Sequence, residues 1–484
     1  MLNVKQKKLI FFACVAFLFL LTALLTKDEV TMAGNESSRF GTIQALAEQN
    51  TFALNQTTFR TVDRITVGNK IYSDKPLMLM VVHSIIFKII AAVTGISFAS
   101  HYYLSVYLMN LFGIGLLNIV LFILFFKRLD RDVEAPFLSK LFLSTSMLIS
   151  TMLFSYGVTM NNHTPAALIL FILFLQLMDF LDKNSILRAF MIGITAGVLL
   201  TVEIPVGGIC GISAFLIVLL FSKTLKLKKT TVYSIGGLLP IIAMGVVNYI
   251  ATGKASPQYL GAGGTFHPGI FISGDYIWNI LFWNRGFFSY MPAMLFIIPV
   301  LIMNRKILKN RLELIIISTI AAIIIFYGFM TNEYGGWAYG FRYLIPIIPL
   351  VWFFIAREYA PKVRSWQYAV LSFLIFWGIV TSYVGTYNPW CGCYEAYCSK
   401  PNAVDYYVRS SFAANLLCIS FEQNPESALS KFMINRFYGP VIATAYLNEA
   451  FVNTKKIEKL LVLREYCRKN PQTRMKLEVS DVEK

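Results

Sequence analysis

The chain has 484 residues, of which 56% are hydrophobic and only 14% are charged. A soluble domain carries about 25% charged residues, so the composition excludes an ordinary soluble enzyme and predicts an all-α polytopic membrane protein. The formal net charge of +17 does not indicate a nucleic-acid partner, because the basic residues lie in short gaps between apolar runs, which is the positive-inside pattern of cytoplasmic loops.

The first apolar run, residues 9–26, follows Lys5, Lys7 and Lys8. A cleaved signal peptide is the alternative interpretation, but no small-residue cleavage site follows the run. We therefore predict an uncleaved first span that leads outward.

The next apolar run, residues 76–99, is predicted to lie in the interface or to re-enter, and not to cross. Lys88 stands in its middle, and a central lysine costs about 2.5–3.5 kcal/mol in a spanning helix. If this run crossed, the gap with Lys127, Arg128 and Arg131 would fall outside, against the positive-inside rule. Residues 27–103 are thus predicted to form a long outer loop with interfacial helices.

The remaining apolar runs bring the prediction to about 11–13 transmembrane helices, since a weakly apolar stretch at 411–420 is ambiguous. Residues 1–386 form the membrane domain, with a second outer loop at 253–286. Residues 387–484 form a small extracytoplasmic domain. The predicted spans are 9–26, 104–126, 137–157, 164–181, 187–204, 206–221, 232–252, 287–303, 312–330, 342–356 and 366–386.

The C-terminal segment is rich in cysteine. In an oxidising outer compartment some of these residues are expected to pair, although an odd number leaves the connectivity open. A metal knuckle is the weaker alternative because the segment contains no histidine. The cysteines are Cys391, Cys393, Cys398, Cys418 and Cys467.

Two outer segments carry charged residues close to the membrane. Glu36 and Arg39 lie three residues apart in a helix predicted within 34–52, where a surface ion pair of little energetic value is the alternative. Asp74 and Lys75 begin the run at 76–99. Lys75 is placed to meet a lipid phosphate there, or else to snorkel as interfacial lysines do.

Arg342 stands where a later outer loop re-enters the membrane. An arginine at that depth indicates a phosphate-bearing ligand, with bilayer headgroups as the alternative. Asn161, Asn162 and His163 form a short outer turn, for which turn chemistry is the simple explanation. Glu203, in "TVEIP", has no predicted role.

Several motifs, taken in order, resemble the polytopic glycosyltransferases of the C superfamily, closest to the branch with protein O-mannosyltransferases and aminoarabinose transferases. The motifs are "NESSRF", "VDRITVGNKIYSDKPL", "NNHTPAA", "RGFFSYMPAMLF" and "YGGWAYGFRYLIPIIP". The resemblance covers residues 1–386 and does not extend to 387–484.

The resemblance implies roles for individual residues. Glu36 would be the catalytic carboxylate, although the family often has Asp there and Asn35 matches in a shifted register. Lys75, Arg342 and Arg39 would bind the donor phosphate. In some relatives the positions of Asp74 and His267 hold a divalent metal, and no other cofactor is expected. The remaining substrate-binding positions would be Asp74, Tyr72, His163, Asn162 and Tyr339.

The implied reaction transfers a sugar from a polyprenyl-phosphate-linked donor to a glycan, lipid or protein acceptor. The active site would lie on the periplasmic face of the inner membrane, with membrane lipid as a further partner. A lipid-linked glycan polymerase or ligase would share the donor chemistry. A transporter or flippase of lipid-linked sugars is the alternative from another class, but it predicts mid-membrane charges and two related halves, and the sequence has few such charges and no matching halves.

Overall fold

The computed structural model describes most of the membrane part of the chain. The described residues are 2–30, 34–257, 274–283, 285–303, 310–330, 335–336, 338–390, 411, 412, 415, 416 and 419. His267, residues 258–273 of the second outer loop, nearly all of the predicted C-terminal domain and its five cysteines lie outside the described residues.

The described chain is mostly helical. Its α-helices are α1 (Val4–Leu25), α2 (Asn35–Glu48), α3 (Leu77–Thr94), α4 (Tyr102–Asn110), α5 (Leu116–Asp132), α6 (Phe137–Ile149), α7 (Met152–Tyr156), α8 (His163–Asp182), α9 (Ile186–Val202), α10 (Ile204–Phe221), α11 (Lys226–Thr252), α12 (Gly274–Phe282), α13 (Phe287–Tyr290), α14 (Ile297–Met303), α15 (Arg311–Met330), α16 (Ile348–Tyr359) and α17 (Trp366–Tyr387). A π-helical turn, Leu111–Gly115, joins α4 to α5, and 3₁₀ turns Pro292–Phe296 and Arg342–Ile347 precede α14 and α16.

Eight described helices are long and apolar enough to cross a membrane, or nine if the bent pair Tyr276–Tyr290 and Pro292–Ile302 forms one span. The prediction of a multi-pass, helical membrane protein is therefore confirmed. Seven of the eleven predicted spans are among the eight, and the eighth is α3, which was predicted not to cross. Of the other four, runs 137–157 and 342–356 are interrupted, run 187–204 forms the 17-residue helix α9, and run 287–303 belongs to the bent pair. The interruptions occur at Ser150 and at the 3₁₀ turn before α16.

Helix α3 has both of its ends at one end of the bundle. Just before its start, Lys75 Nζ lies 2.9 Å from Asp63 Oδ2, and after its end the Phe98 amide donates to Glu48 Oε1 at 2.6 Å. Lys88 donates to Asn50 Oδ1 at 3.2 Å. By length and composition α3 is one of the eight helices that could cross a membrane, so its interfacial location stays a prediction.

The two ends of the bundle are identified by where α5 and α1 finish. At the end where α5 finishes, Arg128 pairs with Asp132 at 2.5 Å and with Asp179 at 3.2 Å. At the opposite end, where α1 finishes, the Lys27 amide donates to Val158 O at 2.9 Å.

A β-hairpin in the first outer loop packs against α2. Its strands, β1 (Arg64–Val67) and β2 (Lys70–Ser73), are antiparallel, with Arg64 opposite Ser73. Gly68 has a φ of +60° in the connecting turn, a conformation that glycine adopts without steric cost. The hairpin therefore returns the chain to α2 just before Asp74 and Lys75.

Candidate functional site

A polar cavity of about 80 Å³ lies at the end of the bundle where α1 finishes. A single water needs roughly 10–15 Å³ of such space, so the cavity has room for several waters or one phosphate-sized group. Six separated parts of the chain supply its polar lining: Asn35, Arg39, Lys75, Asn162, His163, Glu203, Tyr327, Arg342 and Tyr343. We call it the polar cavity.

Helix α2 forms one wall of the polar cavity. Glu36 in its first turn suits the positive end of the helix dipole, and Asn50, with a φ of +51°, follows its end. The helix prediction within 34–52 is thus confirmed. Residues 35–45 are all buried, so the alternative of a solvent-exposed pair between Glu36 and Arg39 is wrong.

Ser38 connects α2 to the hairpin. Its hydroxyl donates to Asp63 O at 2.7 Å and lies 2.6 Å from the Ser73 hydroxyl. These contacts bring Lys75 to the edge of the polar cavity. Its ammonium lies 2.9 Å from Asp63 Oδ2 and 3.2 Å from Asp74 Oδ2, so Lys75 arrives already paired with two carboxylates.

Asn162, immediately before α8, joins two charged walls of the polar cavity. Its Oδ1 accepts a hydrogen bond from Arg39 Nη2 at 2.6 Å, and its Nδ2 donates to Glu203 Oε2. Arg39 Nη1 also donates to Asn35 O at 3.3 Å. The Asn162 amide therefore bridges the Arg39 guanidinium and the Glu203 carboxylate and holds both in place.

Glu203 occupies the break between α9 and α10. Its φ of −142° and ψ of 92° are extended, and Pro205 restarts the helix at its second residue. Tyr327 Oη donates to Glu203 Oε1 at 3.2 Å. His163 Nδ1 lies 3.0 Å from Oε2, but without the geometry of a hydrogen bond. The helix break therefore presents a carboxylate to the polar cavity.

Arg342 begins the 3₁₀ turn before α16, and only 6% of its surface is exposed. Its guanidinium carbon lies 4.8 Å from the ring centre of Trp390 and 5.3 Å from that of Tyr343. Its Nε and Nη1 atoms have no hydrogen-bond partner in the described part of the chain. A buried charge without a partner is costly, so these donors indicate an anionic ligand.

Nearby glycines shape the loop that carries Arg342. Gly336 and Gly340 have φ values of +63° and +68°. A Cβ on Gly340 would lie 2.6 Å from Met152 Sδ, so the loop can pack this closely only with glycine there. The backbone at these positions thus brings Arg342 into the protein interior.

The electrostatics of the polar cavity favour an anion. Burial and, next in size, the positive charge of Arg342 lower the pKa of Arg39 to about 10, so Arg39 stays charged at neutral pH. Burial raises the pKa of Asp74, and the adjacent Lys75 opposes that rise. Among the described lining residues three side chains are cationic and one, Glu203, is a carboxylate; of the three cations, Lys75 is paired with Asp63 and Asp74.

The structure brings five of the predicted site residues into this lining: Arg39, Lys75, Asn162, His163 and Arg342. Two predicted residues have other surroundings. Tyr72 is buried in β2 opposite Ile65. The Tyr339 amide donates to the Tyr156 hydroxyl at 3.0 Å, and the Tyr339 hydroxyl donates to Thr381 O at 2.5 Å.

Glu36, the predicted catalytic carboxylate, does not line the polar cavity. It is fully buried and accepts a hydrogen bond from Thr159 Oγ1 at 2.5 Å. Its neighbour Asn35, the match in the shifted register, does line the cavity. The two residues therefore face different surroundings on the first turn of α2.

Sequence reasoning missed Glu203, Tyr327 and Tyr343. Glu203 had a usable signal, because it is a single acidic residue before a proline between two apolar runs. Tyr327 and Tyr343 had none, since tyrosines at the ends of apolar runs are common membrane-interface residues. Their rings stack at 4.9 Å and 10° beside Glu203.

The predicted metal pair is not assembled within the described residues. Asp74 lies there beside Lys75, and His267 lies outside them. Among the residues that the structure describes, no group of three or more His, Cys, Asp or Glu side chains is placed to hold a metal ion.

A second cavity, of about 250 Å³, has an aromatic lining. Trp283, Tyr290 and Trp377 contribute to it, together with the hydroxyl groups of Ser289 and Thr381. It is larger than the polar cavity but has no charged side chain, so the charged chemistry of the site belongs to the polar cavity.

No protein-family model, no curated protein and no solved structure matches this chain.

Proposed function

We propose that the protein is a membrane glycosyltransferase that moves a sugar from a polyprenyl-phosphate-linked donor to a glycan, lipid or protein acceptor. The observation that carries this proposal is the buried guanidinium of Arg342, whose Nε and Nη1 lack partners among the described residues. It lies beside Arg39 and Lys75 in the polar cavity. The active site would face the periplasm from the inner membrane, as the basic opposite end of the bundle suggests.

The reaction fits a cavity of this charge. The acceptor's oxygen or nitrogen attacks the anomeric carbon, and the bond from that carbon to the phosphate oxygen breaks. The electron pair of that bond goes to the phosphate, which gains one negative charge. Arg342, Arg39 and Lys75 are fixed cations, and preorganised cations stabilise charge that develops in the transition state.

Helix α3 suits a donor that is anchored in lipid. Met80, His83 and Phe87 are on its buried face, whereas Ile85 and Ile89 are exposed. A helix lying in the interface with an apolar outer face can contact a polyprenyl chain. Lys75, directly before α3, is then at the depth of the lipid phosphate.

A polymerase or ligase of lipid-linked glycans would use the same cations, and the acceptor alone separates it from a single-sugar transferase. Transport is less consistent with the site, because transporters bind their substrates near the membrane midplane. The polar cavity instead lies at one end of the bundle, where α1 and α9 finish.

The test uses the full chain purified into lipid nanodiscs with a panel of polyprenyl-phosphate sugars, and it measures release of free polyprenyl phosphate. Cell-envelope extract supplies the acceptor, and a parallel series contains EDTA to test metal dependence. We expect release with one sugar, and its loss in Arg342→Gln. Arg128→Gln, at the opposite end of the bundle, is the matched control.

Release with no sugar in the panel would reject the proposal. Equal release by Arg342→Gln and by the unaltered protein would reject the role of the polar cavity. Transport of lipid-linked sugars into sealed vesicles by a protein that releases no polyprenyl phosphate would favour the transporter class.

A further inference from the structure

Two glutamates are buried near the polar cavity, and only one of them lines it. Glu203 is 7% exposed and belongs to the lining. Glu36 is fully buried and is absent from the lining. A general base must come within hydrogen-bond reach of the proton that it removes, so the two carboxylates differ in the first requirement for catalysis.

Two hydrogen bonds orient the Glu203 carboxylate, and they leave some of its acceptor positions available. Tyr327 Oη donates to Oε1 and Asn162 Nδ2 donates to Oε2. His163 Nδ1 is 3.0 Å from Oε2 without a well-formed hydrogen bond. An ionised carboxylate has about four acceptor positions, so Glu203 keeps capacity for a further donor from a ligand.

The Glu203 carboxylate lies at the break between two helices. Val202 ends α9 and Ile204 begins α10, so Glu203 is the single residue between them. At that position it precedes the positive end of the α10 dipole, which stabilises a negative side chain. Arg39 is its charged neighbour, the His163 ring lies 3.0 Å from it, and Arg342 shares the cavity lining.

Glu36 has a structural environment instead. Thr159 Oγ1 donates to it at 2.5 Å, and the α2 residues around it are all buried. Its carboxylate therefore serves to satisfy buried groups between α2 and the turn before α8.

We propose that Glu203 is the catalytic base of the transfer, a proposal that rests on the proposed function. The Glu203 carboxylate takes the proton from the acceptor's hydroxyl or amine as the new bond to the anomeric carbon forms. The bond between that carbon and the phosphate oxygen breaks, and polyprenyl phosphate leaves with the electron pair. The proton ends on Glu203 and the negative charge ends on the phosphate, beside Arg342 and Lys75.

The experiment compares Glu203→Gln with Glu36→Gln, two substitutions that remove the same charge. Binding of polyprenyl phosphate is measured by ligand-induced thermal shift, and transfer is measured by release of polyprenyl phosphate from the donor. Glu203→Gln is expected to bind polyprenyl phosphate at least as tightly as the unaltered protein, since it removes a negative charge from the polar cavity. Its transfer rate is expected to fall by about 10²–10⁴-fold, the usual contribution of a general base.

Glu36→Gln is expected to retain transfer within about tenfold, since its side chain keeps its shape and an oxygen acceptor for Thr159. A positioning test accompanies it. Tyr327→Phe removes a donor that orients the Glu203 carboxylate, so the transfer rate is expected to fall by about tenfold while polyprenyl phosphate binding stays unchanged. Glu203→Asp is expected to recover part of the activity lost in Glu203→Gln.

Three results overturn the proposal. Transfer by Glu203→Gln within tenfold of the unaltered protein would remove Glu203 as the base while leaving the proposed function intact. Loss of transfer in Glu36→Gln alone, with polyprenyl phosphate still bound, would assign the base to Glu36. Absence of transfer by the unaltered protein with every donor would reject the proposed function and the role of Glu203 together.

Discussion

Arg39 and Glu203 are held by the two ends of a single amide, that of Asn162. The oxygen of this amide accepts from the guanidinium at 2.6 Å and its nitrogen donates to the carboxylate. The opposite charges are therefore fixed through a neutral group, and each keeps a surface directed to the same polar cavity. A cavity of this kind can stabilise an anion and accept a proton at the same time.

Replacing Asn162 with leucine is expected to destabilise the protein. Both Arg39 and Glu203 would lose a hydrogen-bond partner while buried, and an unsatisfied buried group costs about 1–3 kcal/mol. Thermal unfolding in detergent measures the change. Thr94→Ala, which removes an exposed hydroxyl bonded to Ile90 O, is expected to stay within about 0.5 kcal/mol of the unaltered protein. Equal effects of the two substitutions would contradict the bridging role.

Arg342→Gln is expected to reduce affinity for polyprenyl phosphate by about 10- to 100-fold, the range of one charge-assisted hydrogen-bonding group. The same change should preserve or raise the unfolding temperature without ligand, because it removes a buried charge whose Nε and Nη1 have no partner within the described part of the chain. Thermal unfolding with and without polyprenyl phosphate measures both effects.

Arg128→Gln provides the opposite case for this comparison. Arg128 is buried to a similar degree but pairs with Asp132 and Asp179. Its loss is expected to lower the unfolding temperature and to leave polyprenyl phosphate binding unchanged. A destabilised Arg342→Gln variant with normal binding would show that Arg342 has a structural role only.

Close helix packing makes Gly197 sensitive to a single added carbon. A Cβ at Gly197 on α9 would lie 2.4 Å from Gly237 O on α11, whereas a Cβ at Gly208 on α10 would meet nothing within 4 Å. Small residues allow such backbone approach between membrane helices. Gly197→Ala is expected to lower stability by about 1–3 kcal/mol, and Gly208→Ala to be neutral or slightly stabilising. Comparable unfolding temperatures for the two variants would contradict this packing.

Asp74 gives an expected pH dependence of stability. Burial raises its pKa above the usual value of about 3.9, so the folded protein holds this proton more tightly than the unfolded chain. The resulting stabilisation is complete below the unfolded-state pKa and is lost as pH rises through the folded-state pKa. Asp74→Asn, which is always neutral, is expected to exceed the unaltered protein in stability at neutral pH.

The advantage of Asp74→Asn should shrink as pH falls toward 4, and unfolding temperatures across that range measure it. Asp63→Asn is the comparison, because Asp63 also contacts Lys75, at 2.9 Å. Its loss is expected to reduce stability at neutral pH. A constant difference between Asp74→Asn and the unaltered protein at every pH would show that Asp74 does not titrate in this way.

The sequence by itself determined the membrane class and most of the helix positions, because a span depends on a local run of apolar residues of sufficient length. It also singled out Lys75 and Arg342, since each is a charge at a place where a charge is costly. The position of helix α2 could also be predicted from the sequence. These are properties of neighbouring residues in the chain.

Only the tertiary structure decided which charged residues meet. Arg39 and Asn162 are 123 residues apart, Asn162 and Glu203 are 41 apart, and Tyr327 and Glu203 are 124 apart. No periodicity relates such separations, because they depend on how the helices pack and not on the local chain. The same packing turned Glu36 toward Thr159 and placed Glu203 at the cavity, for a side chain's partners depend on the helix that is packed against it.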